Sequence, residues 1–360
     1  MIILGIETSC DETSAAVVNA SEHENKVELL SNVIATSLAL HAKTGGIIPE
    51  VAAREQVKFI IPVIEEAMSV LKNPQEEIDA IAVTVGPGLI GSLLVGVETA
   101  RTISYIWNKP IIPVNHLFGH IYANFIRSNS KLRTSFDPEL RTEGQNSKID
   151  NEIEFPAIAL IVSGGHTDLV LMKNHRDIKW LGGTRDDAAG EAFDKTGRLL
   201  NLPYPAGPEI EKLATGVEKD VYHFPRPLMD SDDFDFSFSG LKTAVLREVQ
   251  KIKDPSFDEI KNLSYSLQEA IFAVLTKKTI KAAKEFDVKS ILLGGGVAAN
   301  QTLRKAFEFE IRNLKLEIPL FVPPKKLCTD NAGMIAAAAF FNLEKTDWRH
   351  ISANPELYFD

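Results

Sequence analysis

One pattern restricts the fold more than any other, and it occurs twice. "IILGIETS" and "SAAVV", residues 2–9 and 14–18, read as two short strands around the polar turn "CDET". "FPAIALIVSGGHTDLVLM", residues 155–172, repeats the scheme: apolar strand, small polar turn, threonine, second strand. Two such units, each opening half of the chain, predict an internal duplication. Helical periodicity over 52–71, a buried-looking strand "IDAIAVTV" (78–85), a "GPGLIGS" turn and a helix from about Ser92 to Trp107 follow the first copy. Strands alternating with helices predict an α/β architecture.

Residues 127–154 lack apolar periodicity and are rich in Ser, Asn and charge, which predicts a polar insertion at a lobe boundary. The expected division is a first lobe of 1–126 with 328–360, the insertion 127–154, and a second lobe of 155–327. Within the second half we expect a Gly- and Asp-rich section (182–207) and an irregular stretch ending in "FDFSFSGLKTAV" (234–245). Two amphipathic helices over 258–286, the strand "KSILLGGG" and a helix from about Asn300 follow. "CTDNAGMIAAAAFF" (328–341) predicts a small-residue helix that packs tightly.

Composition narrows the function. A chain of 360 residues that is 44% hydrophobic can bury a large core. "MIILGIETSC" has no basic leader and no run of eighteen apolar residues occurs, so a cytoplasmic protein is expected. Two distant cysteines, Cys10 and Cys328, exclude a disulfide framework. The formal net charge of −10 argues against autonomous nucleic-acid binding, because that affinity comes largely from Lys and Arg on phosphates.

"NHLFGHIYANF" (115–125) places His116 and His120 four apart, on one face of a predicted helix that Asn115 can cap. Such a pair can share a metal ion, but a zincin peptidase needs glutamate where Leu117 stands. A third ligand is normally a carboxylate. Asp330 in "CTDNAG" opens an apolar helix, as a ligand or as a plain N-cap. Four glycine-bearing turns follow strands: 85–92, 162–167, 181–197 and 293–300. Glycine lets backbone amides approach a phosphate closely, although a simple chain reversal explains any one of them. None is a P-loop; "GPGLIG" matches GxGxxG by letters, yet no acid closes the βαβ unit that fingerprint requires. Paired strand–turn–strand units plus a "LGGGVAAN" turn are similar to the actin, hexokinase and Hsp70 type of ATPase, in which nucleotide lies between two related lobes.

"GIETSCDETSAAVV", "GGIIPEVAAREQ", "VGPGLIGSLLVG", "NHLFGHIYA", "LIVSGGHTDLV", "DDAAGEAFDKTGRLL", "FDFSFSGLKTAV", "GGGVAANQTLR" and "CTDNAGMIA" occur in order. Together they resemble the tRNA N6-adenosine threonylcarbamoyltransferase family, long mislabelled as O-sialoglycoprotein endopeptidases. The likeness spans the chain except 127–154 and about the last fifteen residues. It implies an actin/hexokinase/Hsp70-like (ASKHA) fold of two ribonuclease-H-like halves, and transfer of threonylcarbamoyl from threonylcarbamoyl-AMP to N6 of the adenosine beside the tRNA anticodon. It further implies one divalent metal, iron(II) or zinc(II), on His116, His120 and Asp330, and an adenylate held by Ile161, Val162, Ser163, Gly164, Gly165, Asp194, Gly207 and Asn300. The implied partners are tRNA, a smaller paralogous subunit and a P-loop ATPase.

Asp11 is the candidate general base, with Glu12 second; each serves equally well as a structural turn residue. Cys10 has no identifiable partner to activate it and is expected to be a buried thiol. Three positions depart from the family pattern: Gln56 for histidine, Ala206 for the first glycine of "YPGG", and Glu211 for a ribose-binding aspartate. Two other readings compete with the transferase: a glycoprotein metallopeptidase, and a nucleotide-gated actin-like scaffold.

Overall fold

The structure, a computed structural model, describes residues 1–21, 27–128 and 152–359. It divides into two compact units, Met1–Glu152 with Pro323–Asp360 and Ile153–Val322. Most of the expected insertion, 129–151, lies outside the described residues.

In the first unit, β1 (Ile2–Glu7) and β2 (Glu12–Asn19) pair antiparallel, and β3 (Val27–Thr36) continues the meander. After β3 come α1 (Leu38–Thr44), α2 (Pro49–Met68) and α3 (Pro74–Glu77). β4 (Ala80–Gly86), α4 (Ile90–Trp107), β5 (Ile111–Asn115), α5 (His116–Tyr122) and β6 (Ile126–Ser128) complete the first passage of the chain. The sheet order is β5-β4-β1-β2-β3-β6, with β4 parallel to β1 and β5 parallel to β4. The apolar run of β1 is continuous because both of its faces are covered. Leu4 and Ile6 enter a core with Ile60 and Ile64 of α2 and Val97 of α4. On the opposite face, a Cβ at Gly5 would meet Ala332 and Ala336 of the small-residue helix.

The second unit opens with β7 (Ala157–Val162), β8 (Thr167–Asn174) and β9 (Asp177–Gly183), again an antiparallel meander. Four helices follow: α6 (Ala189–Leu199), α7 (Ala206–Ala214), α8 (Ser239–Ile252) and α9 (Phe257–Glu285). β10 (Ser290–Gly294), α10 (Gln301–Asn313) and β11 (Leu320–Phe321) close the unit. Its order, β11-β10-β7-β8-β9, with β10 parallel to β7, repeats β5-β4-β1-β2-β3 strand for strand. The duplication therefore appears as topology. α11 (Lys325–Cys328) and α12 (Ala332–Phe341) belong to the first unit.

The stretch expected to hold two amphipathic helices is one helix, α9, of 29 residues. It contains neither Gly nor Pro, and a capping box formed by Ser256 and Glu259 starts it. The apparent break in its apolar pattern arises because Ser264, Ser266, Gln268, Thr276 and Thr279 are buried polar residues. No helix among the described residues is long and apolar enough to cross a membrane.

Candidate active site

β5 ends at Asn115, whose Oδ1 accepts from Leu117 N at 2.8 Å and so starts α5 with His116 in its first turn. Asn115 also donates from Nδ2 to Tyr358 O at 2.6 Å, which ties the start of the helix to the C-terminal tail. α5 lies against α12, where a Cβ at Gly119 would meet Ile335 and Met334. α12 is capped by Asn331, which accepts from Met334 N at 3.0 Å. The cap is therefore not Asp330, whose carboxylate turns instead toward the histidines.

Asp330 Oδ1 stands 3.3 Å from His120 Nε2 and 3.6 Å from His116 Nε2. One ligand atom from each of the three residues lies within 4.8 Å of the others. The residues suit a divalent ion: two imidazole nitrogens and one carboxylate oxygen leave coordination positions open. His120 gives the clearest sign. It is wholly buried, yet neither ring nitrogen has a hydrogen-bond partner of good geometry, an arrangement costly for a core histidine and expected of a ligand.

The charges divide the pair. Burial pushes His116 down, but the Asp330 and Glu7 carboxylates, with a Glu7 hydrogen bond, raise it to about 9. Burial holds His120 below its ordinary value despite Asp330, and the His116 charge adds to that push. Glu7, absent from the sequence expectations, has no exposed surface and its Oε2 lies 3.1 Å from His116 Nδ1. The signal for it was an acid closing an apolar strand, the one polar residue of "IILGIE".

The first turn is tightly held. Gln56, on α2, is fully buried and its Nε2 faces Thr8 O, Cys10 O and Glu12 O at 3.3, 3.1 and 2.9 Å. Ser92 Oγ also donates to Cys10 O, at 3.0 Å, and Ser37 Oγ to Asp11 O at 3.0 Å. Gln56 thus clamps the chain that carries Asp11. Burial first, then the Asp330, Asp11 and Glu12 charges, push the Cys10 thiol well up, which disfavours the thiolate a nucleophile needs. Burial, Asp330 and Asp11 likewise raise Glu12 well above the usual carboxylate range.

Three of the four glycine turns converge at the end of β7. Gly190 N donates to Ser163 O at 3.1 Å, and a Cβ at Gly190 would strike Ser163 O. Gly295 has φ +91°, and a Cβ there would strike Val162 O. Packing requires glycine at both positions, and at Gly295 the positive φ requires it as well. Gly164, Gly165 and Gly207 differ: a Cβ at any of them meets nothing within 4 Å, and none has positive φ. Neither packing nor backbone conformation asks for glycine there, nor at Gly240, which shares both features. The turn at 85–92 departs from the phosphate expectation, since Gly88 packs on Ser9 O and Leu89 N donates to that oxygen at 2.8 Å.

Ile161 and Val162 are wholly buried, so they offer a ligand backbone at most. Asp194 accepts from Ala206 N at 2.7 Å and starts α7, while burial raises its carboxyl. Asn300 caps α10 through Thr302 N and Leu303 N and donates to Gln268 Oε1 at 3.2 Å. Glu211 accepts from Gln301 N at 2.7 Å.

The sequence pattern of the tRNA N6-adenosine threonylcarbamoyltransferase family matches residues 28–135 and 140–337. The chain belongs to this family. A tRNA N6-adenosine threonylcarbamoyltransferase of Listeria welshimeri is 44% identical over 366 residues, covering 100% of this chain and 97% of the relative. Enzymes of the same name from Staphylococcus epidermidis and Syntrophomonas wolfei are also 44% identical, over 94% and 98% of the chain. Among solved structures, HypF of T. kodakarensis superposes with a TM-score of 0.58 at 14% identity, over 95% of this chain and 47% of HypF. Full-length HypF in a phosphate- and nucleotide-bound form gives 0.54 at 12% identity, over 96% and 47%. The chain spans about half the length of each, and at such identity the likeness concerns the fold alone. Membership in a transferase family, joined to a two-sheet α/β fold, bears out the resemblance drawn from the nine motifs.

Proposed function

We propose that this chain transfers threonylcarbamoyl from threonylcarbamoyl-AMP to N6 of the adenosine next to the anticodon, in tRNAs reading codons that begin with A. The products are N6-threonylcarbamoyladenosine and AMP. The observation that carries the proposal is the meeting of His116, His120 and Asp330 in a chain 44% identical to enzymes of that name over its full length.

The adenosine N6 is a weak nucleophile, so the rate must come from orientation and from stabilising the developing oxyanion and departing phosphate. His116, His120 and Asp330 would hold one iron(II) or zinc(II) ion, which when bound supplies positive charge to a phosphate or carboxylate of the substrate. The Ser163–Gly165 turn and Gly207 offer backbone that an adenylate can approach without meeting a side chain. N6 attacks the carbamoyl carbon, the bond from that carbon to the phosphate oxygen breaks, and AMP leaves with the electron pair. Asp11 takes the proton that N6 gives up, held in place by a turn tied to Gln56, Ser37 and Ser92.

The partners are the tRNA, a smaller paralogous subunit and a P-loop ATPase, in the cytoplasm. Unusually exposed apolar side chains support a protein partner: Val57 and Ile61 on α2 at 64% and 54%, Ile90 and Leu94 on α4 at 49% and 45%.

Incubating the protein with threonylcarbamoyl-AMP, unmodified tRNA and those partners, then analysing tRNA nucleosides by mass spectrometry, tests the reading. Modified adenosine should form with the wild type. It should be lost by about two orders of magnitude or more in His120→Ala or Asp330→Ala. Modification by the wild type that neither substitution reduces would refute the role of these residues; no modification under any condition would refute the reaction.

A further inference from the structure

We infer that Glu7 is a positioning residue for the metal centre. Its carboxylate fixes the tautomer and direction of the His116 ring, so that Nε2 is left as the ligating atom. This inference rests on the metal-centre reading above.

Glu7 closes β1, and like Gly5 two residues earlier it faces the side of the sheet that carries α12 and α5. It is completely buried. Ser9 N donates to Oε1 at 2.5 Å and Thr84 Oγ1 donates to Oε2 at 2.5 Å. His116 Nδ1 lies 3.1 Å from the same Oε2. With donors on every documented side, the carboxylate accepts throughout, so the proton between it and the ring belongs to Nδ1. A neutral imidazole protonated at Nδ1 has its lone pair at Nε2, the atom that faces Asp330 at 3.6 Å. Ligating histidines ordinarily donate their second ring nitrogen to a carboxylate or carbonyl, which sets the ring orientation and strengthens the ligand.

Ser9 Oγ also lies 3.1 Å from Nδ1 and is the rival for the role. A hydroxyl donates as readily as it accepts, so Ser9 leaves the tautomer open whereas an anion does not. Among the described residues, His120 Nδ1 has no partner of this kind. The tautomer control is therefore confined to one of the two histidines.

The test is zinc(II) affinity of the full chain, by competition with a chromophoric chelator, for wild type, Glu7→Gln and Ser9→Ala. Glu7→Gln keeps the shape but can donate to Nδ1 and so place the proton on Nε2. We expect it to weaken zinc binding by roughly 10- to 100-fold, and Ser9→Ala to bind like the wild type. Long-range 15N–1H spectra of the zinc-loaded wild type should show His116 protonated at Nδ1 and bound through Nε2. Coordination through Nδ1, or wild-type affinity in Glu7→Gln, would overturn the role of Glu7 alone. A wild type that binds no zinc would overturn the metal-centre reading with it. Should Glu7→Gln fail to fold, the wild-type spectrum still decides the question.

Discussion

Glycine acts at single positions in two different ways here, and substitution separates them. Gly164→Ala, Gly165→Ala and Gly207→Ala should leave the melting temperature unchanged, since each new methyl enters open space. They should weaken binding of a threonylcarbamoyl-AMP analogue on the order of tenfold or more, as seen by calorimetry. Gly190→Ala, which would press on Ser163 O, should instead destabilise the fold by about 1–3 kcal/mol in urea unfolding. An alanine at 164 or 165 that bound the analogue normally would remove the reason for placing an adenylate there. The i, i+4 histidine pair was legible from sequence because a helix fixes its own geometry. Asp330 was not legible from spacing, because 49 acids compete for the third position; the family resemblance names it, and the fold brings it to the histidines. Its choice rests on a neighbour: Asn331 takes the cap and releases Asp330 toward the ring nitrogens. The roles of Glu7 and Gln56 are not legible in sequence, since each acts on residues dozens of positions away, His116 in one case and the 8–12 turn in the other.

Among the elements, β1 and α12 depend on one another most. Gly5 admits the backbone of α12 at Ala332, and seven of the ten residues of α12 are Gly, Ala or Met. Gly5→Ala should cost about 1–3 kcal/mol through that contact, measured as a shift of the urea midpoint with an unchanged slope. The β8–β9 turn carries a pH response of its own. His175 packs edge-on against Phe155 with ring centroids 4.9 Å apart, and burial lowers it to about 4. Its folded value lies below its unfolded value near 6.5, so the unfolded chain binds the extra proton first and stability falls as pH drops from about 6.5 to 4. Compared with wild type, His175→Phe should flatten the decline of melting temperature across that window; parallel curves would show that the ring is not held neutral. The opening strands of both meanders were legible because alternating or continuous apolar runs between turns have few other uses. α9 is not legible as one helix, since its buried hydroxyls and Gln268 mimic a polar break that only tertiary partners explain.

For the whole molecule, the duplicated sheet order explains why two similar motifs stand about 150 residues apart. Each meander needs its own parallel strands, β4 and β5 or β10 and β11, to complete a sheet. The net charge of −10 predicts that the chain alone binds tRNA weakly at physiological salt and that the partners supply the basic surface. Filter binding should show affinity gained on adding partners; tight binding by the isolated chain, with a steep salt slope, would contradict this. The central claim is that His116, His120 and Asp330 hold one ion on which transfer depends. Its most direct test is to strip the protein of metal with a chelator and titrate iron(II) or zinc(II) back in, in the presence of threonylcarbamoyl-AMP, tRNA and partners. Modified adenosine should be absent at the start and should rise to a plateau at about one equivalent per chain. Full product from the stripped protein, or a rise with no break near one equivalent, would contradict the account.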